Sequence, residues 1–387
     1  MTTGTGALMA LAGILASVLG VQTLVSSAPQ PKAVLLLLPN EGLLAGLGDG
    51  LRRGYLLAME QSKACGVSPP ELGLGWVRPE LDPQPSIEAG PPPSLLIAPP
   101  AAPLAPYGLL AERLRFQVLL PLQRGLSLQH LAQQPGSDRL WPVLPARSQA
   151  ADQLARAVVE RRWPPLMVIR DGSAEHRVLA ERFVAGLSVA GGRLIGPTNG
   201  PIRVDPSEAK AWSQFQDDVD GYRPQALVVF TRPGSPLAQA VAAAPWPQGM
   251  ALVWPFPPTG PLAQAQLGIG ALTQGPGWPS FEAAFRRRWG YGPGVVEAAG
   301  FDTGQLTAVA AVPSEPGPSE GAAPSGHGGW DLAWLDPRAT PLDLCQALKR
   351  RSEGGKLALR GAASKLDLSP AASPTAELPL SDRPPKP

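Results

Sequence analysis

Several groups of residues in this 387-residue chain have types and spacings that could do chemistry. The stretch PNEGLLAGLGDGLRRG, residues 39–54, follows the apolar run VLLLL and leads into YLLAME. That is the strand, glycine-rich turn and helix order in which backbone N–H groups cradle phosphate. A dinucleotide fingerprint needs G-x-G-x-x-G, and here Gly46 and Gly48 are followed by Leu51 where the third glycine should stand. The Gly-Lys-Ser/Thr ending of a phosphate loop is also missing. What remains is room for the polar end of a guest beside a helix start. Gly317-Pro318-Ser319-Glu320-Gly321 satisfies G-x-S-x-G, but it lies in a Pro-rich stretch and not in a strand-turn-helix elbow. His130, His176 and His327 have no i, i+4 partner, so no metal site is expected. His176, between Glu175 and Arg177 on a helix, is expected on the exposed face. No catalytic residue and no cofactor follow from these patterns, and the chain does not read as an enzyme.

The elements that would position such residues alternate. Short apolar runs at 33–38, 72–77, 95–98, 116–120 and 140–144 read as strands, with helices at 50–61, 108–115 and 149–162. A second series follows, with strands at 166–170, 226–230, 251–254 and 267–272 and helices at 174–190, 236–244, 280–289 and 295–312. A last helix at 341–350 and an extended segment at 356–369 come after the stretch 313–330, which has too few apolar residues to join a core. The Pro-rich residues 370–387 read as a disordered tail. Two α/β halves result.

The 33 basic and 31 acidic residues nearly cancel and form no long block of one sign, so nucleic acid is not the expected partner. Residues 7–25, ALMALAGILASVLGVQTLV, carry no charge and would span about 28 Å as a helix. Residues 1–27 are therefore either a cleaved secretory signal, with small residues up to Ser27, or a retained N-terminal membrane anchor, and both place the remainder in the periplasm. Cys65 and Cys345 pair only if the fold brings their segments together.

The order of residues Pro39, Gly42, Ala45, Gly48, Gly54, Leu57 and Ala58, with Cys65-Gly66 ending the helix, resembles the opening of the type I periplasmic binding proteins. These include the branched-chain amino acid receptors of ABC transporters. The strand to Arg170 with Asp171-Gly172, the helix HRVLAERFVAGLSVAGGRLIG, the segment DPSEAKAWSQFQDDVDGYRPQALVVF, the helix EAAGFDTGQ and the closing LRGAASKLDL are similar to later parts of the same family, so the resemblance covers 33–368. It implies an α/β fold of two doubly wound lobes with a hinge and an interlobe cleft. Residues 32–146 plus 293–368 would make lobe 1, and 147–292 lobe 2. Ligands would lie in the crevice at the carboxyl ends of the strands.

Departures from the family pattern fall on that crevice. Glu41 stands where a serine is common, IAPPAAPLAP brings Pro99, Pro100 and Ala101 where a hydroxyl is common, and Ser173 and Ala174 replace a frequent tyrosine. The residues expected at the ligand are Asn40, Glu41, Ala101, Gln123, Arg124, Asp171, Ser173, Thr231, Arg232 and Trp254. Glu41 or Asp171 would hold a cationic group, Arg124 or Arg232 a carboxylate, and Trp254 with Phe256 an apolar wall. The expected function is an exported solute-binding protein that captures a small polar molecule, an amino acid or amide, for an ABC permease in the inner membrane. The alternative is a ligand-free regulatory protein of the same fold, such as an activator of penicillin-binding proteins.

Overall fold

The computed structural model describes residues 34–78, 82–270, 274–313, 330, 332–375 and 377–384. The first five strands are β1 (Val34–Pro39), β2 (Leu72–Val77), β3 (Leu95–Ile97), β4 (Gln117–Leu120) and β5 (Leu140–Pro142). They form one parallel sheet in the order β2-β1-β3-β4-β5. Strands covered on both faces must be apolar at consecutive positions, which is why they read as unbroken runs such as VLLLLP. The helices α1 (Leu43–Ala64), α2 (Gln84–Glu88) and α3 (Leu104–Leu114) connect them.

After α4 (Arg147–Glu160) the pattern repeats: β6 (Leu166–Arg170), α5 (Ala174–Val189), β7 (Ile202–Arg203), α6 (Ala209–Tyr222), β8 (Ala226–Phe230), α7 (Pro236–Ala243), β9 (Ala251–Trp254) and β10 (Gln266–Ile269). Then come α8 (Trp278–Trp289), α9 (Val295–Ala311), β11 (Pro341–Leu342), α10 (Leu344–Ser352), β12 (Ala358–Leu359) and β13 (Leu380–Arg383). The second sheet runs β13-β10-β9-β8-β6-β7. With antiparallel β13 set aside, β7-β6-β8-β9-β10 repeats the order of the first sheet, so the molecule has two doubly wound lobes. The order reverses between β1 and β3 in one lobe and between β6 and β8 in the other. These are the places where open α/β sheets leave a crevice.

Each sheet is covered on both faces. In the first lobe, Leu36, Tyr55, Phe281, Phe285 and Phe301 share one core under α1, α8, α9 and α10, while Leu96, Tyr107 and Phe116 fill the other face with α3. In the second, Leu154, Val158 and Phe183 lie under α4 and α5, and Phe215, Val219 and Trp246 under α6 and α7. Cys65 at the end of α1 is joined to Cys345 on α10 by a disulfide, with Cα atoms 5.3 Å apart across 280 residues of sequence.

Three findings differ from the sequence reading. The helix expected at 50–61 begins at Leu43, so the glycine-rich stretch is helix and only Asn40 to Gly42 turns, with Gly42 at φ 71°. Two of its glycines, Gly50 and Gly54, face a neighbouring helix: a Cβ on Gly54 would lie 1.9 Å from the Glu297 carbonyl oxygen, and one on Gly300 2.1 Å from that of Leu51. Helices α1 and α9 are thus packed backbone to backbone. Second, the helix at 278–289, expected in lobe 2, buries Phe281 and Phe285 in the first lobe's core. Third, described residues of the expected disordered tail are ordered: Leu380–Arg383 pairs with β10, and Arg161 forms an ion pair with Asp382. Proline-rich backbone is held there by side-chain amides, Gln149 donating to the Pro374 carbonyl at 2.8 Å and Gln153 to that of Leu378 at 2.7 Å. The expected signal or anchor at 1–27 and residues 314–329 of the expected loop lie outside the described residues. Trp330 at the end of that loop is buried in the first lobe's core.

The chain passes between the lobes after β5, after β10 and after β12. The crossings are tied to one another: Gly275 N–H donates to the Ala362 carbonyl, Gly277 N–H to that of Gly361, and the Ser364 hydroxyl to that of Val143. Asp302 on α9, fully buried, accepts the N–H groups of Ala362 and Ala363 at 2.6 and 2.8 Å. Burial pushes its carboxyl up to about 7 against the pull of those N–H groups.

Candidate functional site

The parallel register of β6 and β8 runs from Leu166 opposite Ala226 to Arg170 opposite Phe230, which puts Asp171 and Thr231 side by side just beyond the strand ends. Thr231 Oγ1 donates its proton to Asp171 Oδ2 at 2.9 Å and accepts from the Ser235 hydroxyl at 2.7 Å. Ser173 caps α5, its hydroxyl accepting from the His176 N–H at 3.1 Å, and this turn of helix swings the His176 ring back onto Asp171 with Nδ1 2.8 Å from Oδ2. Burial alone would raise the Asp171 carboxyl. The Ser173 N–H, the His176 ring, the Ser173 hydroxyl and Thr231 outweigh it and hold the group below the usual range.

This network backs a cavity of about 590 Å³ at the carboxyl ends of the second lobe's strands. His176, Thr231 and Arg232 line it beside Phe230 and Phe256. Arg124, from the loop after β4, reaches it from the first lobe, and Arg147 and Glu175 stand at its rim as an ion pair. The Arg124 guanidinium donates from Nε to the Pro145 carbonyl at 2.9 Å. Burial, and then the charge of Arg147, lower it to about 10. Gly270 and Leu378, both on segments that cross between the lobes, complete the wall. Residues of both lobes and of two crossings therefore meet around one space, of a size ordinary for a small-molecule site. Hollows of about 800 and 710 Å³ beside α3 and along edge strand β2 are lined by first-lobe residues alone.

Neither a family model nor a curated protein matches the chain. Solved structures do. An ABC transporter substrate-binding protein from Desulfitobacterium hafniense in complex with Leu aligns over 91% of this chain and 97% of its own, with 14% identity and a TM-score of 0.59. An ABC transporter solute-binding protein from R. palustris in complex with benzoate aligns over 90% and 92%, with 16% identity and a TM-score of 0.54. A branched-chain amino acid ABC transporter periplasmic ligand-binding protein from Burkholderia xenovorans aligns over 71% and 77%, with 13% identity and a TM-score of 0.53. This chain has the type I periplasmic binding protein fold. At such identities the likeness establishes the fold and leaves the site to its own residues.

Within the type I fold the ten residues expected at the ligand separate into three groups. Arg124, Thr231 and Arg232 line the cavity. Asp171 and Ser173 lie behind it, spent on His176 and Thr231. Asn40, Glu41, Ala101, Gln123 and Trp254 are not part of the wall. Asn40 and Ala101 are exposed, Ala101 at φ 58°, and Glu41 forms an exposed ion pair with Arg78 at 2.8 Å. Gln123, only 4% exposed, donates to the Pro99 carbonyl at 2.8 Å and so ties the loops after β3 and β4 together. Trp254 is buried among Phe215 and Trp246, and its neighbour Phe256, 5.4 Å away, supplies the cavity wall instead.

Sequence reasoning missed Arg147, Glu175 and His176. His176, expected to be exposed, is 6% exposed. Its signal was the spacing Asp171, Ser173, His176: a strand-end acid, a helix cap two residues on, and a ring at the third helical position able to reach back. Arg147 carried no such signal, since nothing in Pro145-Ala146-Arg147 shows which way the helix start will face. Among the described residues, no group of three or more His, Cys, Asp or Glu side chains gathers to hold a metal, and no helix is long and apolar enough to cross a membrane.

Proposed function

We propose that this chain is an exported, non-enzymatic solute-binding protein that captures a small molecule between its lobes and presents it to an ABC permease in the inner membrane. The observation that carries the proposal is the cavity at the strand ends of the second lobe, which Arg124 reaches from the first and which two crossing segments border. A site built across a hinge couples occupancy to closure, because contacts to both lobes form together only in the closed state. The neighbours in fold are described as ABC transporter proteins in complex with leucine and with benzoate, and one as periplasmic, which supports this reading. The uncharged run at 7–25 supports export.

Thermal denaturation of the full chain against a panel of amino acids, amides and organic acids tests the proposal. A ligand at 100 times its dissociation constant adds about 2.7 kcal/mol to stability. Small-angle scattering then shows a smaller radius of gyration in its presence. A panel that leaves both quantities unchanged favours the regulatory alternative, in which the fold persists without a ligand.

A further inference from the structure

We propose that the interlobe cavity takes a monocarboxylate with an apolar body and no ammonium group. This rests on the solute-binding reading above and goes beyond it in fixing what the solute must carry.

The charges around the cavity decide its sign. Arg124, Arg147 and Arg232 line it against a single carboxylate, Glu175, and that one is paired with Arg147. Asp171, the acid directly behind the wall, accepts from the Ser173 N–H, the His176 ring and the Thr231 hydroxyl, so both of its oxygens are engaged. Among the described residues lining this cavity, an incoming ammonium finds no carboxylate that is not already committed. Burying it unpaired is costly. An anion meets the opposite situation: it offsets the mutual repulsion of Arg124 and Arg147, and the exposed Arg232 guanidinium on the same wall can meet a carboxylate bidentately. Burial is the larger cause of the lowering of Arg124, and the charge of Arg147 adds to it in the same direction.

The rest of the wall fixes the body of the ligand. Phe230 and Phe256 stand on it with Leu154, Leu179, Ile269 and Leu378. Phe230, packed edge-on against Phe183 at 5.7 Å and only 1% exposed, backs the wall from the core, while half-buried Phe256 beside Trp254 is the ring with apolar surface left to meet a ligand. Guanidiniums and apolar side chains line the same space, as suits a molecule with one charged end and an apolar body. It excludes the α-amino acid of the sequence expectation on chemical grounds: such a ligand brings two charges, and this wall answers one.

The test is calorimetric titration of the full chain with three molecules of nearly one shape: 3-phenylpropanoate, L-phenylalanine, which adds an ammonium, and 3-phenylpropanamide, which removes the charge. The expected result is that 3-phenylpropanoate binds more tightly than either of the others by about tenfold or more, a difference of about 1.4 kcal/mol. Arg147→Gln, at an exposed rim position where folding is not at stake, should weaken the carboxylate by a similar factor and leave the amide unchanged. L-phenylalanine binding as tightly as 3-phenylpropanoate, or the amide doing so, overturns the ligand class and leaves solute binding standing. Retention of full carboxylate affinity in both Arg147→Gln and Arg124→Gln overturns the class too. If none of the three binds at millimolar concentration but an amino acid or amide of the wider panel does, the class falls alone. If nothing in that panel binds, the solute-binding reading falls with it.

Discussion

Where the strand order reverses in the first lobe, between β1 and β3, Glu41 turns outward to Arg78 and Gln123 closes the loops onto the Pro99 carbonyl. Where it reverses in the second, between β6 and β8, Asp171, His176, Thr231 and Ser235 form a connected network behind an open cavity. The topology is the same, and so is the crevice it offers. What differs is the chemistry that ends the strands. In the first lobe a buried glutamine ties the proline-bearing strand-end loops together, while in the second short polar side chains bonded to each other back a cavity. The buried acids show the same contrast. Asp302 in the first lobe is sealed in and spends its oxygens on the crossing segment, whereas Asp171 in the second is partly solvated and orients a ring at a cavity. One lobe is organised around cohesion and the other around an exposed site.

Removing what holds the first lobe together should have the largest effect. Replacing Cys65 and Cys345 by serine opens a loop of 280 residues, with an expected loss of up to about 5 kcal/mol in urea denaturation. Gly54→Ala forces α1 away from the Glu297 carbonyl, with an expected cost of about 3 kcal/mol by the same measurement. In both variants Trp254 and Phe256 belong to the other lobe, so near-ultraviolet signals from that region should persist at temperatures where the first lobe has loosened. Simultaneous loss would mean the lobes are one cooperative unit and the contrast is only spatial.

Asp171→Asn should cost about 2 kcal/mol, because its amide cannot accept from the His176 ring, Thr231 and the Ser173 N–H as the carboxylate does. The two acids also have opposite pH signs. The Asp171 carboxyl is lower in the folded protein, so its contribution is present above the unfolded value near about 3.9 and is lost as pH falls through the folded one. The Asp302 carboxyl is raised to about 7, so on that group alone stability declines as pH rises from about 4 toward 7. Stability curves of the two Asp→Asn variants between pH 3 and 8 should therefore diverge from the parent in different windows, on the order of one side of pH 4 for Asp171 and the other for Asp302. The smallest effect is expected at Glu41→Gln: below about 0.5 kcal/mol, since the ion pair with Arg78 is exposed, and no change in affinity for whatever ligand the chain binds.

Much of this fold was legible because apolar strands bounded by turn residues announce themselves. The runs LMVIR, ALVVF and ALVW fall on β6, β8 and β9 with their expected bounds. Strands without such runs were not found: β13 is LSDR, a polar edge strand that exists only because β10 is there to pair with it, and β7 has two residues. The site was half legible for the same reason. Strand-end positions follow from topology, which places Arg124, Thr231 and Arg232 at the cavity. Whether a strand-end residue turns toward the cavity or away depends on loop and cap geometry, and this separated Glu41 from Thr231 and hid Arg147. Gly50 and Gly54 were not read as packing positions because a residue without a side chain serves a ligand or a neighbouring helix equally well, and α9 lies more than 200 residues further along the chain.

That same distance bears on how the protein is made. The second lobe's strands β6 to β10 are continuous in sequence, but the first lobe cannot bury the stripe of α1 until α8, α9 and α10 have been synthesised. Domains generally fold as units while the chain emerges. Here the first sheet is complete by Pro142, but its core must wait for helices that follow β6 to β10, and during that interval α1 has an apolar face whose partner helix does not yet exist.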